Sequence, residues 1–373
     1  MLSGPEKQNS IGNILGWFTS TIGRILISII VPVFTFIVLW QGFIFLRDSN
    51  APKLIIVLVA MVWGVGGVAL LFLVTNWLVE RFGEKWRTRL LPYVFIGPAM
   101  ALLIYFLALP TFRTFYLSLF NANSKEFVGF ENYVFTFTDR AMLEAYRNNL
   151  LWLVLGTSSC VILGLLIAVL ADRSKYENIF KALIFLPMAI SFVGSGIIWR
   201  FIYYFAPPGR EQIGVLNAIV TGLGGDPQAW LTLLQPWNNY FLIVIMVWLQ
   251  TGYAMVLFSS AIKGIPADLV EASRVDGANE FQIFFHITIP SIMGTLITVT
   301  TTIIIFTLKL FDIVIVMTGG QYGTHVIATQ FYRQFFTNRN FGVGSAIAIV
   351  LLIAVIPVMI YNLRSFSERK AFR

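Results

Sequence analysis

EASRVDGANEFQIFFHITIP, residues 271–290, is a polar stretch held between two apolar runs of membrane length. Residues 241–262 before it and 291–308 after it carry no charge, whereas the stretch itself holds Glu271, Arg274, Asp276 and Glu280. Charges concentrate where a chain leaves the bilayer, because a charged side chain inside hydrocarbon costs several kcal/mol. The segment therefore reads as a connection offered to water, and its position suggests a docking loop.

Composition supports a membrane setting for the whole chain. Of 373 residues, 57% are hydrophobic and 12% charged, and the mean hydropathy is +0.79. A soluble domain carries about 25% charged residues. The net charge of +8 does not point to nucleic acid, because the basic residues sit in short clusters at the ends of apolar runs, as membrane topology requires. Cys160 is the single cysteine and cannot form an internal disulfide, and His286 and His325 lie in different segments without partners at metal-ligand spacing. The sequence indicates neither redox nor metal chemistry.

A hydrocarbon core about 30 Å thick needs roughly 20 apolar residues at 1.5 Å each. Eight stretches meet this: 25–46, 54–79, 90–112, 149–171, 182–199, 241–262, 291–308 and 341–363. The fold class is an all-α integral membrane protein with about eight transmembrane helices. Arg81, Lys85, Arg87 and Arg89 cluster in the connection 80–89, and Arg364, Arg369, Lys370 and Arg373 in the tail 364–373. Basic residues near span ends stay in the cytoplasm, so both termini and the segment 263–290 are expected inside. Residues 1–24 lack an apolar core followed by a small-residue cleavage site, so 25–46 is read as a retained anchor. The outward connections 113–148 and 200–240 are rich in aromatic, Asn, Gly and Pro residues; they offer a partner surface or simply link helices.

Within the polar segment, 267–273 and 278–285 have helix-compatible composition. Gly277 between them suits a sharp corner, Asp276 precedes it, and Pro266 suits a first helical turn. Phe281, Phe284, Phe285 and Ile287 recur at helical spacing, predicting one face against the bundle, and Pro290 is expected to end this helix and start the next span. Pro32, Pro98, Pro110, Pro187 and Pro357 mark expected kinks. Lys309 and Asp312 are three residues apart and either pair or mark the membrane interface.

The residues Glu271, Ala272, Asp276, Gly277, Ala278, Phe284, Ile287 and Pro290 resemble, at the same spacing, the signature loop of permease subunits of binding-protein-dependent ABC importers, in the sugar-importing maltose-type branch. Ser273 and Ile289 depart from the commoner alanine and leucine. Further landmarks follow in order: FVGFENYV at 127–134, NNLLWLVLG at 148–156, FLPMAIS at 185–191, GVLNAIV at 214–220, WLQTGYAMVL at 248–257 and FDIVIVMTGG at 311–320. Gln321 stands where a proline commonly follows the paired glycines. The resemblance implies a six-helix type I ABC importer permease core at 90–363, preceded by two extra N-terminal helices at 25–89. The chain departs from the maltose-type relative in having only the connection 113–148 where that relative carries a large outer domain.

What the resemblance implies for function is specific. Glu271, Ala272, Ser273, Asp276, Gly277, Ala278, Phe284, Ile287 and Pro290 would form a coupling helix seated in a cytoplasmic ABC ATPase dimer. A second permease subunit and an extracytoplasmic solute-binding protein would complete the importer in the bacterial inner membrane. Met246, Gln250, Tyr253, Ile303, Phe306, Thr307 and Leu310 fall where the maltose-type relative contacts its sugar; ordinary helix packing is the other reading of each. The expected substrate is an oligosaccharide, an α-glucoside or a glycosidic compatible solute, the alternative being another small polar solute such as a glycerol derivative. No GxxxxGK[ST] loop occurs, so ATP and Mg would be used by the partner ATPase and no cofactor is expected on this chain. An ion-coupled secondary transporter is the competing class, and it would work without an ATPase.

Overall fold

The computed structural model describes residues 21–80, 84–207, 209–232 and 236–370, and these are helical apart from loops and one isolated antiparallel bridge, Phe120 to Phe127. Among the described residues, seven helices are long and apolar enough to cross a membrane, and a bent helix pair makes up to eight spans. The eight-span expectation is met. Most of residues 1–24, together with Arg81 and the last three residues of the tail, lie outside the described residues.

The chain divides into two units, Met1–Pro110 and Thr111–Arg373. In the first, α1 (Thr21–Asp48) and α2 (Lys53–Glu80) form a hairpin. Trp63 lies over Gly42, where an added Cβ would sit 2.2 Å from the indole, and its Nε1 donates to the Leu39 carbonyl at 3.2 Å. Helices apolar on every face are membrane spans rather than surface helices, and Ile29, Ile30, Leu54 and Val65 all remain exposed. The third span, α3 (Glu84–Leu117), starts in this unit.

The second unit contains α4 (Glu131–Thr138), then α5 (Arg140–Asp172), α6 (Glu177–Ala189), α7 (Phe192–Ile202) and α9 (Trp237–Lys263), with the short α8 (Val215–Gly222) before α9. After them come α10 (Ala267–Val275), α11 (Glu280–Leu308), α12 (Asp312–Met317), α13 (Ile327–Tyr332) and α14 (Phe341–Lys370). Helix α9 carries much of the core, which includes Leu242, Ile245, Met246, Leu249, Met255 and Phe258. Small residues let neighbouring backbones approach it, as in membrane bundles generally. A Cβ on Gly164 of α5 would lie 2.5 Å from that of Ala254, and one on Gly252 would lie 2.5 Å from the Ile184 carbonyl of α6.

Two expectations change here. The stretch 182–199 is not one straight span: α6 and α7 meet at 103°. Pro187 opens the 3-10 turn Leu186–Ala189, and Ser191 caps α7 by accepting from the Gly194 N–H at 3.0 Å, so the chain ends one helix and starts another. Pro290, in turn, does not end a helix. Helix α11 runs through it, with a π-turn at Phe284–Thr288 just ahead. Proline lacks an N–H and clashes with the carbonyl four residues back in a regular helix, and the wider π-turn relieves both conflicts. The same device precedes Pro110 at Ile104–Ala108.

Candidate functional site

The segment 271–290 folds as a helix, a corner and a second helix. Helix α10 has no buried residue, and Glu271 on it is exposed with no hydrogen-bond or ion-pair partner among the described residues. It begins after Pro266, which is the residue before the first turn rather than within it. At its other end Gly277 takes φ +84°. Its N–H bonds to the Arg274 carbonyl at 3.1 Å and the Ala278 N–H to the Ser273 carbonyl at 3.0 Å, the paired bonds of a glycine-terminated helix. Asn279 and Gln282 then cap α11 reciprocally: Gln282 N–H donates to Asn279 Oδ1 at 2.9 Å and Asn279 N–H to Gln282 Oε1 at 2.8 Å. Both sides of the corner are thus hydrogen-bonded, and α10 is held at a set angle.

The face turned to the bundle differs from the periodicity. Phe281 is 79% and Phe285 58% exposed, while Ile283 is 5% exposed and Phe284 half-buried against the core. The π-turn adds a residue to one turn and displaces the apolar stripe from a strict three-and-four spacing. Ile287 is half-buried, and Ala272 and Pro290 are exposed. Glu280 takes both of its oxygens into ion pairs, with Arg173 Nη2 at 2.6 Å and with the Arg274 guanidinium at 3.1 Å.

The candidate pathway residues fall into two sets. Met246 and Thr307 are fully buried and in contact, with Thr307 Oγ1 3.7 Å from Met246 Sδ. Ile303 and Leu310 are buried beside them in the same core. Gln250 keeps 9% exposure with no hydrogen-bond partner among the described residues. Tyr253 and Phe306 are half-buried at the edge of the core, and the Phe306 ring packs against that of Phe192 of α7 at 5.0 Å, tilted by 30°. Lys309 and Asp312 do not pair among the described residues. Helix α11 stops at Leu308, so three residues of separation no longer place them on one helix face. No group of three or more His, Cys, Asp or Glu side chains among the described residues is placed to hold a metal ion.

Residues 160–372 match the family model of the binding-protein-dependent transport system inner membrane component. The chain belongs to that family. This permease is 56% identical over 280 residues to the osmoprotective compounds uptake permease protein GgtC of Synechocystis sp., covering 75% of this chain and 100% of the relative. It is 48% identical to the alpha-glucoside transport system permease protein AglF of Rhizobium meliloti, covering 74% and 82%. Among solved structures, a subunit of a bacterial ABC transporter involved in alginate import superposes with a TM-score of 0.63 at 23% identity, covering 75% of this chain and 98% of that one. That likeness shows the fold. The protein is a transmembrane permease subunit of an ABC importer.

Sequence reasoning missed the polar groups that organise the permease at the end opposite α10. Asn148 donates to the Gly323 and His325 carbonyls at 2.8 Å each. Asn238 donates to the Tyr322 carbonyl at 2.7 Å, and Asn149 accepts from the Ile327 N–H at 2.7 Å. Asn239 accepts from the buried Trp152 indole at 3.2 Å. Asn148 and Asn238 pin the loop 318–326, where Gly319, Gly320, Tyr322 and Gly323 all have positive φ, while Asn149 holds the start of α13 just after it. The doublets Asn148–Asn149 and Asn238–Asn239 at span ends were the available signal, since paired amides there must find backbone partners.

Proposed function

We propose that this permease pairs with a second permease subunit to form the path for an α-glucoside or glycosidic compatible solute handed over by a solute-binding protein. In this reading α10 lies in the cytoplasm of a bacterial cell, docked in a cleft of an ABC ATPase dimer that uses ATP and Mg, and both termini lie on the same side of the inner membrane. The observation that carries the ATPase role is the exposure of α10, on which Glu271 has no partner among the described residues. A carboxylate on an exposed, rigid helix is a ready acceptor for a basic side chain in a partner's cleft. The substrate class is supported by the two relatives named for alpha-glucoside transport and for osmoprotective compounds. Gln250 and Tyr253 supply hydroxyl-bonding groups on α9 and Phe306 a flat apolar surface, which suits a sugar ring. The test is uptake into proteoliposomes containing the permease pair, the ATPase and the binding protein, using maltose, trehalose, sucrose and a polyol control. Uptake of a glucoside that stops when the ATPase is inactivated is the expected result. Uptake by this chain alone, driven by an ion gradient, would overturn it.

A further inference from the structure

Glu280 lies outside the residues assigned to docking, yet it has more ionic partners than any other residue of the polar segment. One carboxylate oxygen accepts from Arg173 Nη2 at 2.6 Å, and the other accepts from Arg274 Nε and Nη2 at 3.1 Å each. Arg274 sits in the last turn of α10, and Arg173 immediately follows α5. Beneath these pairs is a cavity of about 180 Å³ lined by Asp172, Arg173, Arg274, Glu280, Ile283 and Phe284, among others. Next to Arg173, Asp172 pairs with Lys181 of α6 at 2.5 Å and accepts from Ser259 Oγ of α9 at 2.7 Å. Glu177 of α6 pairs with Lys181 and Lys263. Two adjacent residues at the end of α5 therefore join α10 on one side to α6 and α9 on the other.

We propose that Glu280 is a positioning residue for coupling: it holds α10 to the α5–α6 corner, so that displacement of α10 moves α6 as well as the covalently attached α9 and α11. Exposed ion pairs contribute little to stability, and Glu280 and Arg173 keep 48% and 62% side-chain exposure. The value of this pair is geometric. Without it, the cavity lies between α10 and α5, and a push on α10 reaches the rest of the bundle chiefly through its two chain connections. With it, the push reaches α6, whose far end is the 103° break before α7 and the Phe192–Phe306 ring pair. A mechanical link needs an element with two arrangements to act on, and the break at Ile190–Ser191 is the joint that the proposal assigns to that role.

This inference rests on the ATP-driven reading, and the experiment separates the two. The reconstituted importer is assayed with whichever of maltose, trehalose and sucrose the wild-type complex takes up, counting solute imported per ATP hydrolysed. Glu280→Gln and Arg173→Gln are each expected to lower that ratio about three-fold, with the subunits still co-purifying in full yield. In the double variant Arg173→Cys, Glu280→Cys, a short bis-maleimide bridge is expected to restore the ratio. A wild-type ratio in both glutamine variants, a loss that merely tracks a loss of assembled complex, or a bridge that restores nothing would overturn the proposal. Absence of ATP-dependent uptake in the wild-type complex would instead overturn the parent reading.

Discussion

Glu271 and Glu280 are nine residues apart, and the structure gives them opposite states: Glu271 is exposed on α10 with no partner among the described residues, while Glu280 is held by two guanidinium groups. A free carboxylate is the one able to enter a partner's cleft. Glu271→Gln is expected to reduce ATP-dependent uptake about tenfold, the scale of one charge-assisted hydrogen bond, while the protein inserts normally; an unchanged uptake rate would remove Glu271 from the interface. Gly277 is a harsher case, since φ +84° is closed to proline and strained for any branched residue. Gly277→Pro should abolish uptake with insertion intact. Both residues were legible in the sequence because their spacing is the signal. His325 was not, since its role depends on what folds over it. The ring packs on Gly320, where an added Cβ would come within 2.1 Å, and Nδ1 lies 3.1 Å from Thr329 Oγ1. Burial, with Arg333 nearby, pushes the imidazole pKa below its ordinary 6.5. The folded loop thus prefers neutral histidine. Well above 6.5 neither state binds the proton; as pH falls through 6.5 towards the lowered folded value, the opened loop is protonated first and loop stability is lost. The protection of 318–326 against hydrogen exchange, taken relative to the intrinsic rate at each pH, should therefore fall between pH 7.5 and 5.5. In His325→Asn that loss of protection should vanish, and its persistence would refute the assignment.

Among the elements, α11 shows where sequence patterns stop being informative. Its existence and apolar character follow from 291–308, and the corner at Gly277 follows from residue type, but the π-turn Phe284–Thr288 has no periodic signature of its own. Read as a regular helix, the phenylalanines fall on one face; with an extra residue in the turn, Ile283 is buried and Phe281 exposed. The bent pair α6–α7 was missed for a related reason. A window of apolar residues reports depth in the membrane, not direction, and FLPMAIS contains both the proline and the capping serine that turn the chain. Proline placement makes the π-turn testable. Pro290→Ala supplies an N–H that can bond four residues back, which favours regular α geometry and rotates everything N-terminal to it by about 100°. Such a rotation would swing α10 away from its set angle. The expected outcome is a permease that inserts and binds lipid normally but imports several-fold less solute per ATP; equal coupling in Pro290→Ala and wild type would show that the π-turn is not needed for aim.

At the scale of the molecule, the candidate pathway is the feature that the sequence located by helix but not by face. Helices α9 and α11 are apolar on most sides, so spacing put Met246, Gln250, Tyr253, Ile303, Phe306, Thr307 and Leu310 near one another without saying which of them the chain would cover itself. In this structure Met246 and Thr307 fill the interface between the two helices, at 0% exposure each, and Ile303 and Leu310 flank them. Close-packed interiors of this kind do not admit a sugar without separating the helices, which would uncover a core that includes Leu249 and Val299. Tyr253 and Phe306, half-buried at the rim, need no such opening. The solute path should therefore run along the rim that carries these two and Gln250, with Met246 and Thr307 setting the helix separation behind it. Cysteine accessibility distinguishes the two arrangements, and the background is low because the one native thiol, Cys160, is buried. In the reconstituted importer, Tyr253→Cys and Phe306→Cys should react with a membrane-impermeant thiol reagent in at least one nucleotide state, and transported solute should slow them. Met246→Cys and Thr307→Cys should stay unreactive with and without ATP. Labelling of Thr307→Cys as fast as Tyr253→Cys would mean that α9 and α11 part during the cycle, and it would move the sugar contacts from the rim to the interface between them.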